Sequence, residues 1–123
     1  MKTFETQNQT LVLINTREQV NPNEVIMQKA DANYTVLYFK NGKKKMIAQT
    51  LKHLEPIFTP YQFYRTHQSY LINMNCIEWI SHEVDSLQMI GKQSVVVARN
   101  RKNGFLDYLN IQNALLQNGT LLQ

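Results

Sequence analysis

The amino-acid sequence predicts a mainly β protein built from short antiparallel sheets with two or three small helices. Three observations predict this fold class. Short runs rich in Val, Ile, Leu, Tyr and Phe recur along the chain, turn-forming residues separate these runs, and apolar residues adopt helical spacing in two places. The chain has 123 residues, which is about the size of one ordinary domain. All elements are therefore expected to share a single scaffold.

Nine segments have the length and composition of β-strands. Their β-branched and aromatic side chains favour strands because they pack well on a pleated surface. Asn41-Gly42 lies between two of the segments and tolerates positive φ, so it predicts a tight hairpin. Turns around His82–Asp85 and Gly91-Lys92 would join the last three segments into a meander. The predicted strands are Leu11–Ile14, Val25–Ala30, Tyr34–Lys40, Lys45–Ala48, Phe63–His67, Tyr70–Ile72, Ile77–Ser81, Leu87–Ile90 and Ser94–Ala98.

The first predicted helix follows Thr50, whose side chain is suited to cap the unpaired N–H groups of a first turn. Its core-facing side has the three- and four-residue spacing of an apolar helix face. This side consists of Leu51, Leu54, Ile57 and Phe58. Pro56 lies inside the pattern and has no backbone N–H to donate. We therefore expect the helix to be kinked at Pro56 or to end early.

The second predicted helix follows the last strand, with Asn100 as its N-cap. Its apolar stripe consists of Phe105, Leu106 and Leu109, with Ile111 as a further candidate. Gly104 weakens the helix by roughly 1 kcal/mol relative to alanine. The following residues, 112–123, are rich in Asn, Gln and Leu and are expected to be either frayed helix or disordered.

Composition limits the class of protein. Cys76 is the only cysteine, so the chain forms no internal disulfide and no Cys-based zinc site, which suits a reducing cytoplasm. No apolar stretch approaches the ~20 residues that a membrane-spanning helix needs. Residues 1–8 lack the apolar core of a signal peptide. We therefore expect a soluble cytoplasmic protein that does not contact a membrane.

Candidate catalytic groups are few. Ser69 follows His67 by two residues, which places both side chains on one face of a strand, but a hydroxyl nucleophile also needs an oriented base and an oxyanion site. The three histidines have no short metal-ligand spacing, and the four glycines are too far apart for a phosphate-binding loop. Glu83 and Asp85 flank Val84 in a predicted turn, where paired carboxylates are usually hydrated. We expect no enzymatic activity, no metal and no cofactor.

Positive charge is concentrated in three segments that contain no acidic residue. The formal net charge of the chain is +4 at pH 7, which solubility alone would explain. The acid-free segments, 32–54, 56–77 and 86–102, would supply three separate contacts to a polyanion. Arg99 stands at a strand-to-helix junction, from which a guanidinium can reach guanine edges. The alternative is that these basic residues belong to solvated strand edges and surface ion pairs.

One segment carries a specific motif. Residues 63–73 read Phe-Tyr-Arg-Thr-His-Gln-Ser-Tyr-Leu-Ile-Asn and resemble the F-x-R-x-H-x-S signature of LytTR DNA-binding domains, which ends in two aliphatic residues and Asn. The resemblance extends to both flanks in the same order, from Gln28-Lys29-Ala30 through Tyr34-Thr35 and Asn41-Gly42 to residues 95–102. It predicts a LytTR-like domain over residues 20–110, an N-terminal extension over 1–20 and a C-terminal tail over 111–123.

The resemblance implies an architecture and a mode of binding. The architecture is an elongated array of stacked antiparallel sheets. In the family, loops rather than a recognition helix enter the DNA, two in successive major grooves and one toward the intervening minor groove. The matching positions here are Tyr34, Gln68 and Arg99. Family members carry His at the position of Tyr34, so packing is an equal alternative there, and Ala98 replaces the Ser that is common before the arginine.

The remaining candidate residues are assigned from the same resemblance and from charge. Arg65 is expected to contact phosphate, whereas His67 and Ser69 are expected to have a mainly structural role. Candidate phosphate contacts add to the salt dependence of binding but little to sequence choice. These candidates are Lys43, Lys44, Arg101 and Lys102. The residues predicted to lie in the core are Phe63, Leu71, Ile72 and Trp79.

Together these features predict a bacterial transcription regulator that binds double-stranded DNA with sequence specificity, at direct-repeat promoter sites with two protomers per site. One alternative is a non-catalytic protein-interaction module that kept the fold without DNA affinity, and a hydrolase using His67 and Ser69 is a third hypothesis. Most family members carry a receiver domain ahead of the binding domain. The chain is therefore either a stand-alone regulator, which Met1 favours, or the C-terminal part of a response regulator.

Overall fold

The computed structural model describes the backbone of residues 10–119 and the side chains of residues 10–111. Within this range, ten strands and two α-helices are joined by turns and short 3₁₀ helices. The strands are β1 (Val12–Leu13), β2 (Gln19–Val20), β3 (Val25–Asp31), β4 (Tyr34–Phe39), β5 (Lys44–Ile47), β6 (Phe63–His67), β7 (Tyr70–Asn73), β8 (Ile77–Ile80), β9 (Ser86–Met89) and β10 (Ser94–Val96). The helices are α1 (Leu51–Phe58) and α2 (Lys102–Gly119). All paired strands are antiparallel, which confirms the mainly β fold class.

A five-stranded sheet with the order β5-β4-β3-β7-β6 forms the middle of the protein. Successive side chains of a strand point to opposite faces. Leu37 and Leu71 accordingly lie on one face, whereas Tyr38 and Ile72 lie on the other. The buried residues form two clusters, one on each face of this sheet. Because both faces are buried, the central strands have runs of apolar residues rather than a strict alternation of apolar and polar residues.

The β1–β2 hairpin and α1 cover the first face. Ile14 and Val20 of the hairpin segment join Leu54 and Phe58 of α1 in one buried cluster. β2 is absent from the sequence prediction because two residues are too short to give an alternating pattern. Residues 12–20 thus pack on the central sheet, while the predicted domain limits at residues 20 and 110 stay predictions.

Helix α1 begins as predicted and continues past Pro56. The hydroxyl of Thr50 accepts a hydrogen bond from the backbone N–H of His53 at 3.2 Å, which confirms Thr50 as the N-cap. Of the two alternatives expected at Pro56, a kink or an early end, the early end is wrong, since the helix continues through Pro56 to Phe58. Pro56 is exposed, so water can reach the carbonyl that its missing N–H leaves without a partner.

A three-stranded sheet with the order β10-β9-β8 and the helix α2 cover the second face. Trp79 of β8 is 57% exposed, so its assignment to the core is wrong. A register shift between Ile77 and Trp79 interrupts the pairing of β8 with β9. Because of this shift, Ile77 and Ile80 pack against the cluster, whereas Trp79 pairs with Gln88 on the outer face. The other predicted core residues, Phe63, Leu71 and Ile72, are buried.

The start of α2 differs from the sequence prediction. A 3₁₀ turn, Arg99–Arg101, precedes the helix, and the N–H of Arg101 donates to the carbonyl of Ala98 at 2.9 Å. Asn100 lies inside this turn, so its assignment as the N-cap is wrong. The helix extends to Gly119, and residues 120–123 of the predicted tail lie outside the described range. Arg99 is therefore exposed on a tight turn between β10 and α2.

Candidate nucleic-acid interface

Two of the predicted DNA-contacting residues lie in turns at the same end of the central sheet. Tyr34 opens β4 after a turn in which Ala32 has a φ of 56°, and Tyr34 is 46% exposed. Gln68 is exposed in the two-residue turn between β6 and β7. The N–H of Ala30, near the end of β3, donates to the carbonyl of Ser69 at 2.9 Å. The sheet therefore brings the loops of Tyr34 and Gln68 together.

The segment that carries Arg99 lies against β6. Thr66 of β6 is fully buried, and its hydroxyl donates to the carbonyl of Val96 at 3.0 Å. The carbonyl of Thr66 accepts a hydrogen bond from the N–H of Ala98 at 2.8 Å. These two bonds hold the end of β10 immediately before Arg99. Arg99 is thus exposed at the end of β6 from which Gln68 also projects.

A shallow groove, here called the loop groove, runs between these loops and the start of α1. Its polar lining includes Gln68, Ser69, Arg101 and Lys52. Nη1 of Arg101 donates to the carbonyl of Arg65 at 3.2 Å, which fixes this side chain against β6. With Arg65, which also lines it, the groove therefore combines three basic side chains with the turn that carries Gln68.

A second groove, here called the arginine groove, contains both basic and acidic groups. Its lining includes Arg99, Lys102, His67, Glu83 and Asp85. Among the described residues, neither carboxylate lies within 4.0 Å of a charged nitrogen of Arg99 or Lys102. The basic groups are thus able to bind an external anion, while the acidic turn lowers the positive potential around them.

Lys43 and Lys44 lie at the opposite end of the central sheet. They follow the Asn41-Gly42 turn, in which Gly42 has a φ of 89°, and this confirms the predicted hairpin. Lys44 pairs with Tyr38, four residues along β4 from Tyr34, which corresponds to about 13 Å. Nζ of Lys44 lies 5.3 Å from the centroid of the Tyr38 ring, in a cation–π arrangement. The fold does not bring these lysines next to the three loops.

Arg65 is engaged inside the protein. Nη1 of Arg65 donates to Oε1 of Glu55 at 2.8 Å, and Nη2 donates to the carbonyl of Gln68 at 2.6 Å. The side chain of Arg65 is only 15% exposed. Its contact with phosphate stays a prediction, whereas these bonds assign it a part in shaping the Gln68 turn.

Sequence reasoning missed three residues of this region: Glu55, Thr66 and Lys52. Glu55 orients Arg65, and Thr66 attaches the end of β10 to β6. Thr66 has no clear signal in the sequence, because β6 also contains Arg65 and His67 and a register shift between these two residues interrupts its alternation. The pairing of Glu55 with Arg65 joins two elements ten residues apart and has no signal in the sequence.

The arrangement of His67 and Ser69 is not that of a nucleophile and its base. Ser69 contacts His67 through its backbone N–H, which donates to Nδ1 at 3.0 Å. Across the described part of the chain, no three His, Cys, Asp or Glu side chains are grouped so that they would hold a metal ion. Neither α1 nor α2 has the length and apolar character needed to cross a membrane.

Comparison with known proteins identifies relatives of this domain. Residues 15–110 match the family described as LytTr DNA-binding domain. Sensory transduction protein LytT from Oceanobacillus iheyensis is 25% identical over 95 residues, covering 73% of this chain and 39% of that protein. The chain thus spans about two fifths of the length of this relative.

A solved structure has the same fold. It is the LytTr DNA-binding domain of a Bacillus cereus protein described as a methyl-accepting/DNA response regulator. The two structures agree with a TM-score of 0.66 at 20% identity, over 82% of this chain and 95% of that one. The family match covers most of the chain, including the 63–73 motif. The chain belongs to the LytTR family of DNA-binding domains.

Proposed function

We propose that the protein regulates transcription by binding double-stranded DNA with sequence specificity, through three loops that enter the grooves. These loops are the β3–β4 turn with Tyr34, the β6–β7 turn with Gln68 and the β10–α2 junction with Arg99. The observation that carries the proposal is that all three meet at one end of the central sheet, joined by the hydrogen bonds of Ala30 and Thr66. A loop reader needs this convergence, because its contacts have to follow one face of the duplex.

Arg99 is assigned the principal base contact. A guanidinium can donate two hydrogen bonds to O6 and N7 of guanine in the major groove, and each good pair contributes about 1–3 kcal/mol of discrimination. Arg99 is exposed, and its backbone is held by the 3₁₀ turn that begins with it. A fixed backbone lowers the conformational entropy that this loop loses on binding.

Gln68 and Tyr34 are assigned supporting contacts. The amide of Gln68 both donates and accepts hydrogen bonds, which suits a minor-groove edge or a phosphate. Tyr34 lies in the neighbouring turn with 46% of its surface exposed. Its hydroxyl can donate to a phosphate oxygen, so Tyr34 extends the contact on the side away from Arg99.

Phosphate contacts are assigned to the remaining basic residues, which are Lys43, Lys44, Arg65, Arg101 and Lys102. Arg101 and Lys102 flank the three loops, whereas the two lysines extend the contact toward the far end of the sheet. Such contacts set register and salt dependence rather than sequence choice. The proposed targets are direct-repeat promoter sites, each occupied by two protomers.

The proposal is tested by selecting duplexes from a randomised library and measuring affinity for a selected and a scrambled duplex by fluorescence anisotropy. We expect Arg99→Ala to weaken binding to the selected duplex by roughly fivefold to a hundredfold and binding to the scrambled duplex much less. Lys44→Ala should weaken binding to both duplexes alike and reduce the salt slope by about one.

Arg17→Ala provides the matched control, since Arg17 is exposed in the β1–β2 turn, outside the three loops. It removes the same charged group without touching the proposed interface. If Arg99→Ala and Lys44→Ala had equal effects on both duplexes, the division between reading and positioning contacts would be wrong. If no duplex were enriched at low salt, the proposed DNA binding would be rejected in favour of a protein-interaction module.

A further inference from the structure

The β6–β7 turn needs support from outside its own backbone. Two-residue hairpin turns usually require positive φ at one or both central residues, because this twist matches that of the flanking strands. The β3–β4 turn meets the requirement with Ala32 at 56°. Neither Gln68 nor Ser69, the central residues of the β6–β7 turn, has a positive φ. Contacts with neighbouring residues therefore contribute to holding this turn.

Three hydrogen bonds supply this support. The carbonyl of Gln68 accepts from Nη2 of Arg65 at 2.6 Å. The carbonyl of Ser69 accepts from the N–H of Ala30 at 2.9 Å. The N–H of Ser69 donates to Nδ1 of His67 at 3.0 Å. Two of the three depend on side chains of β6, those of Arg65 and His67, whereas the bond of Ala30 joins backbone to backbone.

The hydrogen bond from the N–H of Ser69 indicates which tautomer of the neutral His67 ring is present. A ring nitrogen that accepts a hydrogen bond carries no proton, so the hydrogen of the neutral imidazole is on Nε2. The ring lies 5.7 Å from that of Tyr70, its partner across the turn, and this packing limits its rotation. His67 thus acts as Asn and Asp do in Asx turns, in which a side-chain acceptor binds the backbone N–H two residues on.

We infer that His67 is a positioning residue for DNA binding: its Nδ1 holds the β6–β7 turn in the conformation that presents Gln68. The inference rests on the proposed function. It assigns the role to one nitrogen of the ring, so Nε2 is not needed for contact with DNA. The motif histidine therefore acts through the backbone of Ser69, and its effect on DNA passes through Gln68.

Three substitutions separate the two nitrogens. His67→Asn keeps an acceptor oxygen close to the place of Nδ1 and removes Nε2. His67→Gln places its amide near the position of Nε2 and leaves the N–H of Ser69 without its acceptor. His67→Ala removes both groups. His82→Asn is the matched control, because His82 is exposed in the β8–β9 turn.

Affinity is measured for a duplex enriched from a randomised library by the unmodified protein, with a scrambled duplex beside it. We expect His67→Ala and His67→Gln to weaken specific binding by roughly threefold to tenfold, the size of one lost hydrogen bond, and His67→Asn to stay within about twofold. In a Gln68→Ala background, His67→Ala should have little further effect, because the two residues act as one unit. Thermal unfolding of each variant verifies that the compared proteins are folded.

A second measurement needs no DNA. Exchange of the Ser69 amide proton, followed by NMR, should be faster in His67→Ala and His67→Gln than in the unmodified protein and in His67→Asn. Retention of specific binding by His67→Gln together with its loss in His67→Asn would overturn the inference, since Nε2 would then be the group in use. Full additivity of the His67 and Gln68 substitutions would also overturn it. If the unmodified protein enriched no duplex, the proposed function would fail, and the inference would fail with it.

Discussion

Gln28 is a fully buried polar residue in the middle of the central sheet. It pairs with Leu37 on β4 and with Leu71 on β7, so its side chain lies on the face of the first buried cluster. Neither Oε1 nor Nε2 of Gln28 has a hydrogen-bond partner among the described residues. Burial of an amide without a partner destabilises a fold, because the hydrogen bonds to water are not replaced.

Gln28→Met is therefore expected to stabilise the protein. The substitution keeps the length of the side chain and removes both unpaired atoms, which should raise the free energy of unfolding by about 1 kcal/mol. Urea unfolding monitored by circular dichroism measures this change. Thr35→Val is the contrasting control: the hydroxyl of buried Thr35 donates to the carbonyl of Gln49 at 2.7 Å, so its loss should destabilise. A destabilised Gln28→Met protein would contradict this interpretation of Gln28.

At the scale of elements, α2 approaches β6 closely at Gly104. A Cβ atom at this position would overlap the hydroxyl oxygen of Tyr64. The ring of Tyr64 packs against Phe105 at 5.9 Å and Tyr108 at 5.6 Å between centroids, so it has little room to move. Burial raises the pKa of the Tyr64 hydroxyl. The glycine that weakens α2 as a helix thus permits its contact with β6.

Gly104→Ala is expected to destabilise the protein despite the better helix propensity of alanine. The gain in propensity is about 1 kcal/mol, whereas overpacking costs about 1–3 kcal/mol, so we expect a net loss of about 1 kcal/mol. In a Tyr64→Phe background the overlapping hydroxyl is absent, and Gly104→Ala should instead stabilise. Denaturant unfolding of the four proteins in this cycle tests the expectation. Stabilisation by Gly104→Ala in the unmodified background would show that packing does not require the glycine.

The β1–β2 hairpin is tied to β5 by an ion pair. Nζ of Lys45 lies 2.9 Å from Oε2 of Glu18. The hydrogen bond from Lys45, and after it the one from Asn15, lowers the pKa of Glu18 below its ordinary value of 4.5. Because the pKa of Glu18 is lower in the folded than in the unfolded protein, the pair stabilises the fold at pH values above the unfolded-state pKa. This contribution is lost as the pH falls through the folded-state pKa.

Lys45→Met should accordingly reduce the pH dependence of stability in acid. The unmodified protein loses the stabilisation by the ion pair between about pH 5 and pH 3, whereas the variant lacks the ion pair and loses little stability for this reason. The effect is small because both side chains are partly exposed. Thermal unfolding at pH 7, 5 and 3 measures it, with Lys92→Met as the control on an exposed lysine. Parallel pH profiles for Lys45→Met and the unmodified protein would argue against the pair.

At the scale of the whole molecule, the two buried clusters cover both faces of the central sheet, and the three proposed reading loops lie at one end of it. Their backbone positions follow from strand pairing and from hydrogen bonds between strands, not from the loops themselves. A rigid scaffold with short loops loses little entropy when it binds. The acidic groups Glu83 and Asp85 line the same groove as Arg99 and lower the positive potential around it.

Binding to two direct repeats is expected to place two protomers on one duplex. A duplex with both repeats should give a complex of two proteins per DNA in sedimentation velocity, whereas a duplex with one repeat should give one. Because each protomer neutralises its own set of phosphates, the salt slope should be about twice as steep for the two-protomer complex. One protein per duplex on both DNAs would reject the proposed stoichiometry.

The sequence predicted most of the fold because its signals are local. Strand composition, the Asn41-Gly42 turn and the Thr50 cap depend on neighbouring residues, and the nine predicted strands are present within two residues of their expected ends. The wrong predictions lie where contacts between residues distant in the sequence determine the local structure. The register shift in β8 turns Trp79 outward, and the bonds from Ala98 and Thr66 let a 3₁₀ turn precede α2.

For the candidate site, the sequence by itself determined the family motif and the residue types with the chemistry to contact DNA. Only the tertiary structure decided which of them meet. Strand pairing brings Tyr34 and Gln68 to one end of the central sheet and leaves Lys44 at the other. The hydrogen bonds of Thr66 hold the segment of Arg99 at the end of Gln68, and an ion pair joins Arg65 to Glu55 of α1. The physical reason is that residue type fixes what a side chain can bind, whereas strand pairing between distant segments fixes where that side chain lies.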